Sequence, residues 1–532
     1  MDPHGNQLIN GGSSAEGLEE FFGVNPTTGE RLEPPVLEAT QSEIDTAMAL
    51  AVDAYWQLRD TAPSRRADLL DAIAAGIEGL GELLLERAEL ETALPQTRLQ
   101  GERGRTCHQL RMFADVIREG SWVDARIDHG DPDRKPVPKP DVRRMLIPVG
   151  PVVVFGASNF PLAISVAGND TVSAFAAGCP VVVKAHPNHP GTSELVGRVI
   201  QNAIGEMGLP AGMFSLIQGV THGTGAALVQ HPSAKAVGFT GSLRGGRAMF
   251  DLAAARPEPI PVYAEMGSIN PVFMLPSALE GEGAAGVAAG LHKSLTTGVG
   301  QFCTNPGLVV ALRGPDTSSF LSHLQSAVEE SEPGTMLHAG IRFNYEEGLV
   351  RTRQVPGVEE LVAGVPPSGG AEGDGRCQVR AALFTTSADV WLSNPTLSEE
   401  VFGPSTLVVQ CEDLDEMLRV ARNVNGQLTA TVHGSTEDLR ENQALLQCVE
   451  VTAGRVVING YPTGVEICPS IQHGGPYPAT TDARTTSMGS SAIQRFARLV
   501  CYQDLPDDLL PPALQEQNPG DLRRLVDGEW TR

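Results

Sequence analysis

Five short segments of this chain carry residue types that can do chemistry. In GVGQFCTNPG (298–307), Cys303 is flanked by Gly298, Gly300 and Gly307. Glycine on both sides lets backbone approach a ligand and clears side chains from the thiol. With such access and a lowered pKa a cysteine is a nucleophile. Without them it is a packed thiol, the commoner case. In YAEMGSINP (263–271), Glu265 stands just before a Gly-containing turn. A carboxylate there can activate water, or it can be an ordinary surface residue. In GASNFPL (156–162), Asn159 can donate an amide N–H to a developing oxyanion, or can cap a turn. FTGS (239–242) puts Gly241 and Ser242 at the opening of a helix, where backbone N–H groups can hold a phosphate; capping by Ser242 explains the pattern equally well. EEVFGP (399–404) sets Glu400 and Phe402 before a Gly-Pro turn, able to face a ligand or to be a plain structured turn.

The elements that must position these residues follow from periodicity. Apolar residues recur at helical spacing over 41–60, 64–92 and 101–119, and Pro95 marks the end of the second stretch. Residues 123–143 are polar and Pro-rich, which suits an exposed hairpin or arm. From Arg144 the texture alternates. The expected strands are MLIPVGPVVVFG (145–156), then 180–185, 213–219 and 236–241, with helices at 165–177, 190–207 and 223–231 between them. Such alternation predicts an α/β fold with a mostly parallel sheet covered by helices. A second alternating region runs from about 271 to 455, and the last 25 or so residues read as a surface-hugging tail. The GxGxxG dinucleotide fingerprint is absent from the first unit.

The chain has 532 residues, 41% apolar, with a formal net charge of −25. The acidity argues against nucleic acid and anionic membrane as partners. No apolar run reaches the roughly 18–20 residues a bilayer span requires. The N-terminal residues lack a basic region followed by an apolar core, so no signal peptide is expected. Eight cysteines form no CxxC pair and no Cys/His cluster with zinc-ligand spacing, so no metal is expected. Free thiols suit a reducing, cytoplasmic setting.

Taken in order, PVGPVVVFGASNFPL, VVVKAHPNHPGTS, FTGS, EMGSINP, GQFCTN and EEVFGP resemble the aldehyde dehydrogenase superfamily from Asn25 to about Gln503. The resemblance implies that fold: a Rossmann-like cofactor domain (1–122 and 146–266), an α/β catalytic domain (267–475), a β oligomerisation arm (123–145 and 476–505) and a tail (506–532). It implies Cys303 as nucleophile, Glu265 as general base and Asn159 as oxyanion donor beside the Cys303 N–H. It implies Lys184 on the adenosine ribose, Gly241 and Ser242 on the pyrophosphate, Glu400 on the nicotinamide ribose and Phe402 against the nicotinamide. It also implies a homodimer or a homotetramer of two dimers. Relatives that pass the acyl group to coenzyme A generally lack the base, so hydrolysis to an acid is expected.

Met266, Ser268 and Ile269 replace the family's commoner Leu, Gly and Lys after the base. Pro187 stands where NAD-preferring relatives commonly carry a Glu that repels a 2′-phosphate, and His186, His189 and His222 are expected nearby. Use of both NAD and NADP is therefore expected. In finer detail the chain is similar to α-ketoglutaric semialdehyde (2,5-dioxopentanoate) dehydrogenases, with NADP-linked fatty-aldehyde dehydrogenases as a cousin group. A non-catalytic scaffold of the same fold usually lacks the cysteine or the base, and both stand here. A dioxo-acid carries a carboxylate, which calls for an Arg in the substrate tunnel. Arg105, Arg111 and Arg118 fall in one helical stretch, and Arg111 and Arg118, seven apart, can share a face. Arg111 and Phe160 are the expected substrate contacts; a surface ion pair is the other reading of Arg111. The loop 469–475 is expected to border the substrate entrance.

Overall fold

The β-branched run Val152–Phe155 is buried along nearly its whole length, as a central strand of a helix-covered sheet must be. It belongs to a seven-stranded sheet in the computed structural model, which describes residues 2–364 and 376–532. Five strands are parallel, in the order Val262–Glu265, Ala236–Thr240, Val152–Phe155, Val181–Lys184, Phe214–Ile217. Gln7–Ile9 and Gly12–Ser14 close the far edge antiparallel. The chain enters at Val152–Phe155, winds one way through two strands, then returns to the other side. The reversal opens a crevice beyond the carboxyl ends of Val152–Phe155 and Ala236–Thr240, which is where open α/β sheets take ligands. Both the Asn159 loop and the Gly241-Ser242 turn leave from those two ends.

A second seven-stranded sheet carries the nucleophile and the Glu400 turn. Its order is Glu359–Val362, Ala382–Ser387, Ser405–Cys411, Leu308–Leu312, Val272–Met274, Gln427–His433, Ala453–Ile458, parallel except at the first strand. A third sheet pairs Ala497–Gln503, Val142–Pro148, Arg126–Asp128, Arg524–Val526 and Glu529–Thr531. Its last two strands come from the end of the chain, where no strand was expected.

The helices differ from the periodicity reading in two places. The stretch 64–92 is two helices, Pro63–Gly79 and Gly81–Thr92, because Gly81 takes a left-handed φ of 56° that breaks the ladder. The next helix begins at Gln96, with Pro95 as its N-cap, and runs to Glu119 before Gly120 stops it at a φ of 78°. Proline has no N–H to lose at a helix start, so Pro95 opens this helix as readily as it ends the one before. The two long helices, Pro63–Gly79 and Gln96–Glu119, pack their apolar stripes together through Leu69, Leu70, Ile73, Leu110 and Phe113. Among the described residues no helix is long and apolar enough to cross a membrane.

Candidate active site

Cys303 sits just beyond a short turn, Thr297–Gly300, wound left-handed at Gly298, Val299 and Gly300 (φ 58°, 59° and 65°). Gly300 is demanded twice: by its φ, and because a Cβ there would lie 2.4 Å from the backbone of Gly403 and Pro404. That contact joins the nucleophile loop to the Glu400 turn. Val299 is β-branched and still left-handed, a strained backbone that its packing must hold. Asn270 secures the loop from the other side. Its Nδ2 donates to the carbonyls of Cys303 and Asn305, each at 2.9 Å.

The thiol faces two partners. His473 Nε2 is 3.6 Å from Cys303 Sγ and 3.0 Å from Glu265 Oε1. Ser487 Oγ donates to Glu265 Oε2 at 2.6 Å. Glu265 ends its strand 3% exposed, and His473 is fully buried. Burial pushes the Glu265 carboxyl up, but His473 and the bonds from His473 and Ser487 outweigh it and hold the group below its ordinary 4.5. Burial and the nearby Glu265 carboxylate push the Cys303 thiol well above its ordinary value. The ligand atoms of Glu265, Cys303 and His473 all lie within 4.8 Å of one another. An oxygen, a sulfur and a nitrogen so placed are donors that zinc accepts, and equally a base pair beside a nucleophile.

Asn159 reaches the same spot. One hydrogen of its amide goes to the Gln301 carbonyl at 2.9 Å, which aims the other. Phe160 lies edge-on against Phe302, the neighbour of Cys303, with ring centres 5.3 Å apart. The thiol and Glu265 also line a cleft together with Asn159, Lys184, Gly241, Ser242, Glu400 and Phe402. Gly267 makes room there: a Cβ on it would fall 2.5 Å from Glu400 Oε2. Burial raises the Glu400 carboxyl to about 7, with the Ser268 N–H pulling the other way. Burial lowers Lys184 to about 8, with Glu38 opposing; its Nζ donates to the Gly219 carbonyl. Ser242 caps the helix Leu243–Ala254 through the Gly245 N–H.

The end of a strand of the first sheet and a loop of the second thus supply a base and a nucleophile that line one cleft, and the match to known proteins fits that chemistry. Residues 13–477 match the aldehyde dehydrogenase family model. The chain belongs to the aldehyde dehydrogenase family. It is an oxidoreductase acting on aldehydes with a nicotinamide cofactor. It is 51% identical to "Alpha-ketoglutaric semialdehyde dehydrogenase 2" of Azospirillum brasilense over 99% of this chain and 100% of the relative. It is 44% identical to "Alpha-ketoglutaric semialdehyde dehydrogenase" of Acinetobacter baylyi over 99% of both. An NAD+ complex of an aldehyde dehydrogenase from Bacillus cereus shares the fold with a TM-score of 0.79 at 22% identity, covering 94% of this chain and 96% of that one.

The residues that depart from the family's commoner pattern now have physical roles. Ser268 Oγ is 2.8 Å from Gln427 Oε1 and receives the Leu428 N–H, and Gln427 Oε1 also accepts from the N–H groups of Ile269 and Asn270. The substituted turn of this aldehyde dehydrogenase is therefore pinned to the second sheet. Met266 fills space that Gly246 leaves open. Of the three nearby histidines, His186 and His222 line the cleft. His189 is turned away, bound to the Ala157 carbonyl and to Ser193.

Arg111 does not reach the site. Its side chain is 46% exposed and both its Nη atoms meet the Glu78 carboxylate at 2.7 Å. Arg118 is likewise held by Asp68 and Asp71. The neighbouring helix Pro63–Gly79 presents all three acids to them. Sequence reasoning missed His473 and Ser487. The loop 469–475 carried a signal, a lone His before two glycines, but nothing in the pattern links it to residues 170 or 208 positions away.

Proposed function

We propose that this enzyme oxidises 2,5-dioxopentanoate (α-ketoglutaric semialdehyde) to 2-oxoglutarate with either NAD or NADP. The names of the two relatives support the substrate. The observation that carries the chemistry is the convergence of Cys303, His473 and Glu265 at the end of the cleft. The cleft fits a dinucleotide: it holds a lysine, a helix N-terminus for phosphate and a glycine that admits Glu400. Lys184, Gly241, Ser242, Glu400 and Phe402 would hold the cofactor, which when bound takes the hydride. Pro187 brings no carboxylate against a 2′-phosphate, which supports use of both cofactors.

Cys303 loses its proton to the Glu265–His473 pair as sulfur attacks the aldehyde carbon. Asn159 and the Cys303 N–H hold the oxyanion, and losing one such donor costs roughly 3–4 kcal/mol of barrier. Departure of hydride leaves a thioester on Cys303. The pair passes that proton to solvent, and Glu265, ionised again and oriented by His473 and Ser487, takes a proton from water as the water oxygen attacks the acyl carbon. The thiolate leaves and takes this proton back from Glu265 as the acid is released.

Kinetics on an aldehyde panel with both cofactors test this. The semialdehyde acid should surpass a medium-chain aliphatic aldehyde in kcat/KM, and NADP should be accepted. Turnover by Cys303→Ala, or an exclusive NAD preference, would overturn the corresponding step. We also propose that the exposed edge strand Ala497–Gln503, with Leu499 48% exposed, pairs between subunits into a dimer or a tetramer of dimers. A monomer by light scattering would refute it. Cysteines held outside disulfides, Cys303 among them, support a cytoplasmic setting.

A further inference from the structure

We propose that Arg105, with Arg455 beside it, seats the carboxylate at the far end of the substrate. The inference rests on the reading of the substrate as an aldehyde acid. It starts from the helix Gln96–Glu119, where Arg98, Glu102 and Arg105 stand four and three residues apart and so share one face. That face borders the loop carrying Asn159 and Phe160. Arg98 is fully engaged: Nη1 meets Glu102 at 2.6 Å and Nη2 is 3.5 Å from the Asn159 carbonyl. Glu102 in turn accepts the N–H groups of Leu162 and Ala163, both at 2.9 Å. This pair fixes the oxyanion loop, and the Arg98 charge is already matched by Glu102.

Arg105 is different. It has no carboxylate within ion-pair distance among the described residues. Its Nη2 meets only the thioether of Met488, at 3.1 Å, and its Nε is buried without a partner. Its Cζ lies 5.5 Å from the centre of the Phe160 ring, which packs on Phe302 next to Cys303. Arg455, from the strand Ala453–Ile458, is similar. Its Nη atoms rest on the carbonyls of Gly464 (2.9 Å) and Pro462 (2.5 Å), and its Nε is again buried and unpartnered. Burial lowers the pKa of both, and a negative charge developing at Cys303 would oppose that in each.

In a chain with 64 acidic residues against 39 basic ones, leaving two half-buried guanidinium groups, each with a buried Nε, without an acid is costly. A carboxylate brought by the substrate removes that cost. It meets a planar fork of N–H donors one aromatic layer away from the thiol. The ligand class is a short linear aldehyde bearing a terminal carboxylate. Phe160 and Phe302 bound the intervening carbons.

The test compares the semialdehyde acid with pentanal, a neutral aldehyde of equal chain length, in wild type, Arg105→Met, Arg105→Lys and Arg455→Met. Arg105→Met should lower kcat/KM for the acid by about 100-fold, mostly through KM, and leave pentanal within about threefold. Arg105→Lys should fall between, because charge remains and the fork is lost. Arg455→Met should lose less, since its Nη atoms already serve carbonyls. Inhibition by glutarate, an unreactive dicarboxylate, should weaken in parallel. Equal losses for both aldehydes, or an unchanged preference for the acid, would overturn the assignment of Arg105. A wild-type enzyme without preference for the acid would instead sink the substrate reading on which it rests. If Arg105→Met does not bind cofactor, Arg105→Lys decides: it must weaken the acid more than pentanal.

Discussion

Replacing His473 by leucine should convert this enzyme from steady turnover to a burst followed by slow release. The side chains of His473 and Glu265 are at most 2% exposed, and their atoms meet at 3.0 Å. A hydrogen bond to a charged group is worth about 1.5–3 kcal/mol. Its loss should lift the Glu265 carboxyl. The same energy lost from the hydrolytic transition state slows deacylation by about 10- to 150-fold. The sign is set by burial, which already pushes this carboxyl up and is opposed mainly by His473. A carboxyl raised in pKa loses its charge as pH falls through the new value. The variant should therefore lose hydrolysis toward acidic pH, where the native enzyme still holds its base ionised. Rapid mixing with aldehyde and oxidised cofactor should show reduced cofactor forming to the level of active sites, then a slow linear phase that quickens with pH. A steady-state rate within about twofold of the native enzyme, with no new acidic limb, would show that His473 does not act through Glu265.

Lys184 carries its charge below about 8 and loses it above, so NADP should bind the free enzyme more weakly as pH rises past that point, and Lys184→Met should show no such step in a fluorescence titration. Glu400 ionises above about 7, so the cofactor KM should fall as pH rises through neutrality and stay flat in Glu400→Gln. Arg495 and Asp170 form a buried pair at 2.7 Å behind Ser487; Arg495→Met strands the acid and should cost roughly 3–5 kcal/mol, read as a lower urea midpoint.

The alternation of apolar runs and helical stretches placed three strands of the cofactor sheet to within a residue or two, because each is a contiguous local signal: 180–185 became Val181–Lys184, 213–219 Phe214–Ile217 and 236–241 Ala236–Thr240, whereas the run 145–156 split into Val142–Pro148 of the third sheet and Val152–Phe155. What failed was non-local. Arg524–Val526 and Glu529–Thr531 are short, and they become strands only because Arg126–Asp128, nearly 400 residues earlier, offers an edge. The glycines around Cys303 were legible as a need for clearance, but the specific need at Gly300, contact with Gly403 and Pro404, lies in another segment. The same holds for the arginines. Helical spacing correctly grouped Arg111 with Arg118, yet whether that face meets substrate or acids depends on Asp68, Asp71 and Glu78 of the packed neighbour. Arg105, on the same helix, has no ion-pair partner among the described residues.

The charges around Cys303 also fix where its proton rests. Burial and Glu265 favour the neutral thiol, and Arg105 alone among the principal influences favours the thiolate. A partly buried thiolate beside an ionised carboxylate is disfavoured, so the free enzyme keeps the proton on sulfur. Nucleophilicity then arises only as the proton moves to the neighbouring pair, with the aldehyde in place to take the developing charge. This guards an acylable thiol against oxidants that need a standing thiolate. Iodoacetamide should accordingly alkylate Cys303 slowly at neutral pH, with a rate that climbs through and beyond pH 9, the ordinary thiol value. Alkylation already at its plateau at neutral pH would mean a preformed thiolate and would refute the proton-shuttle order of events.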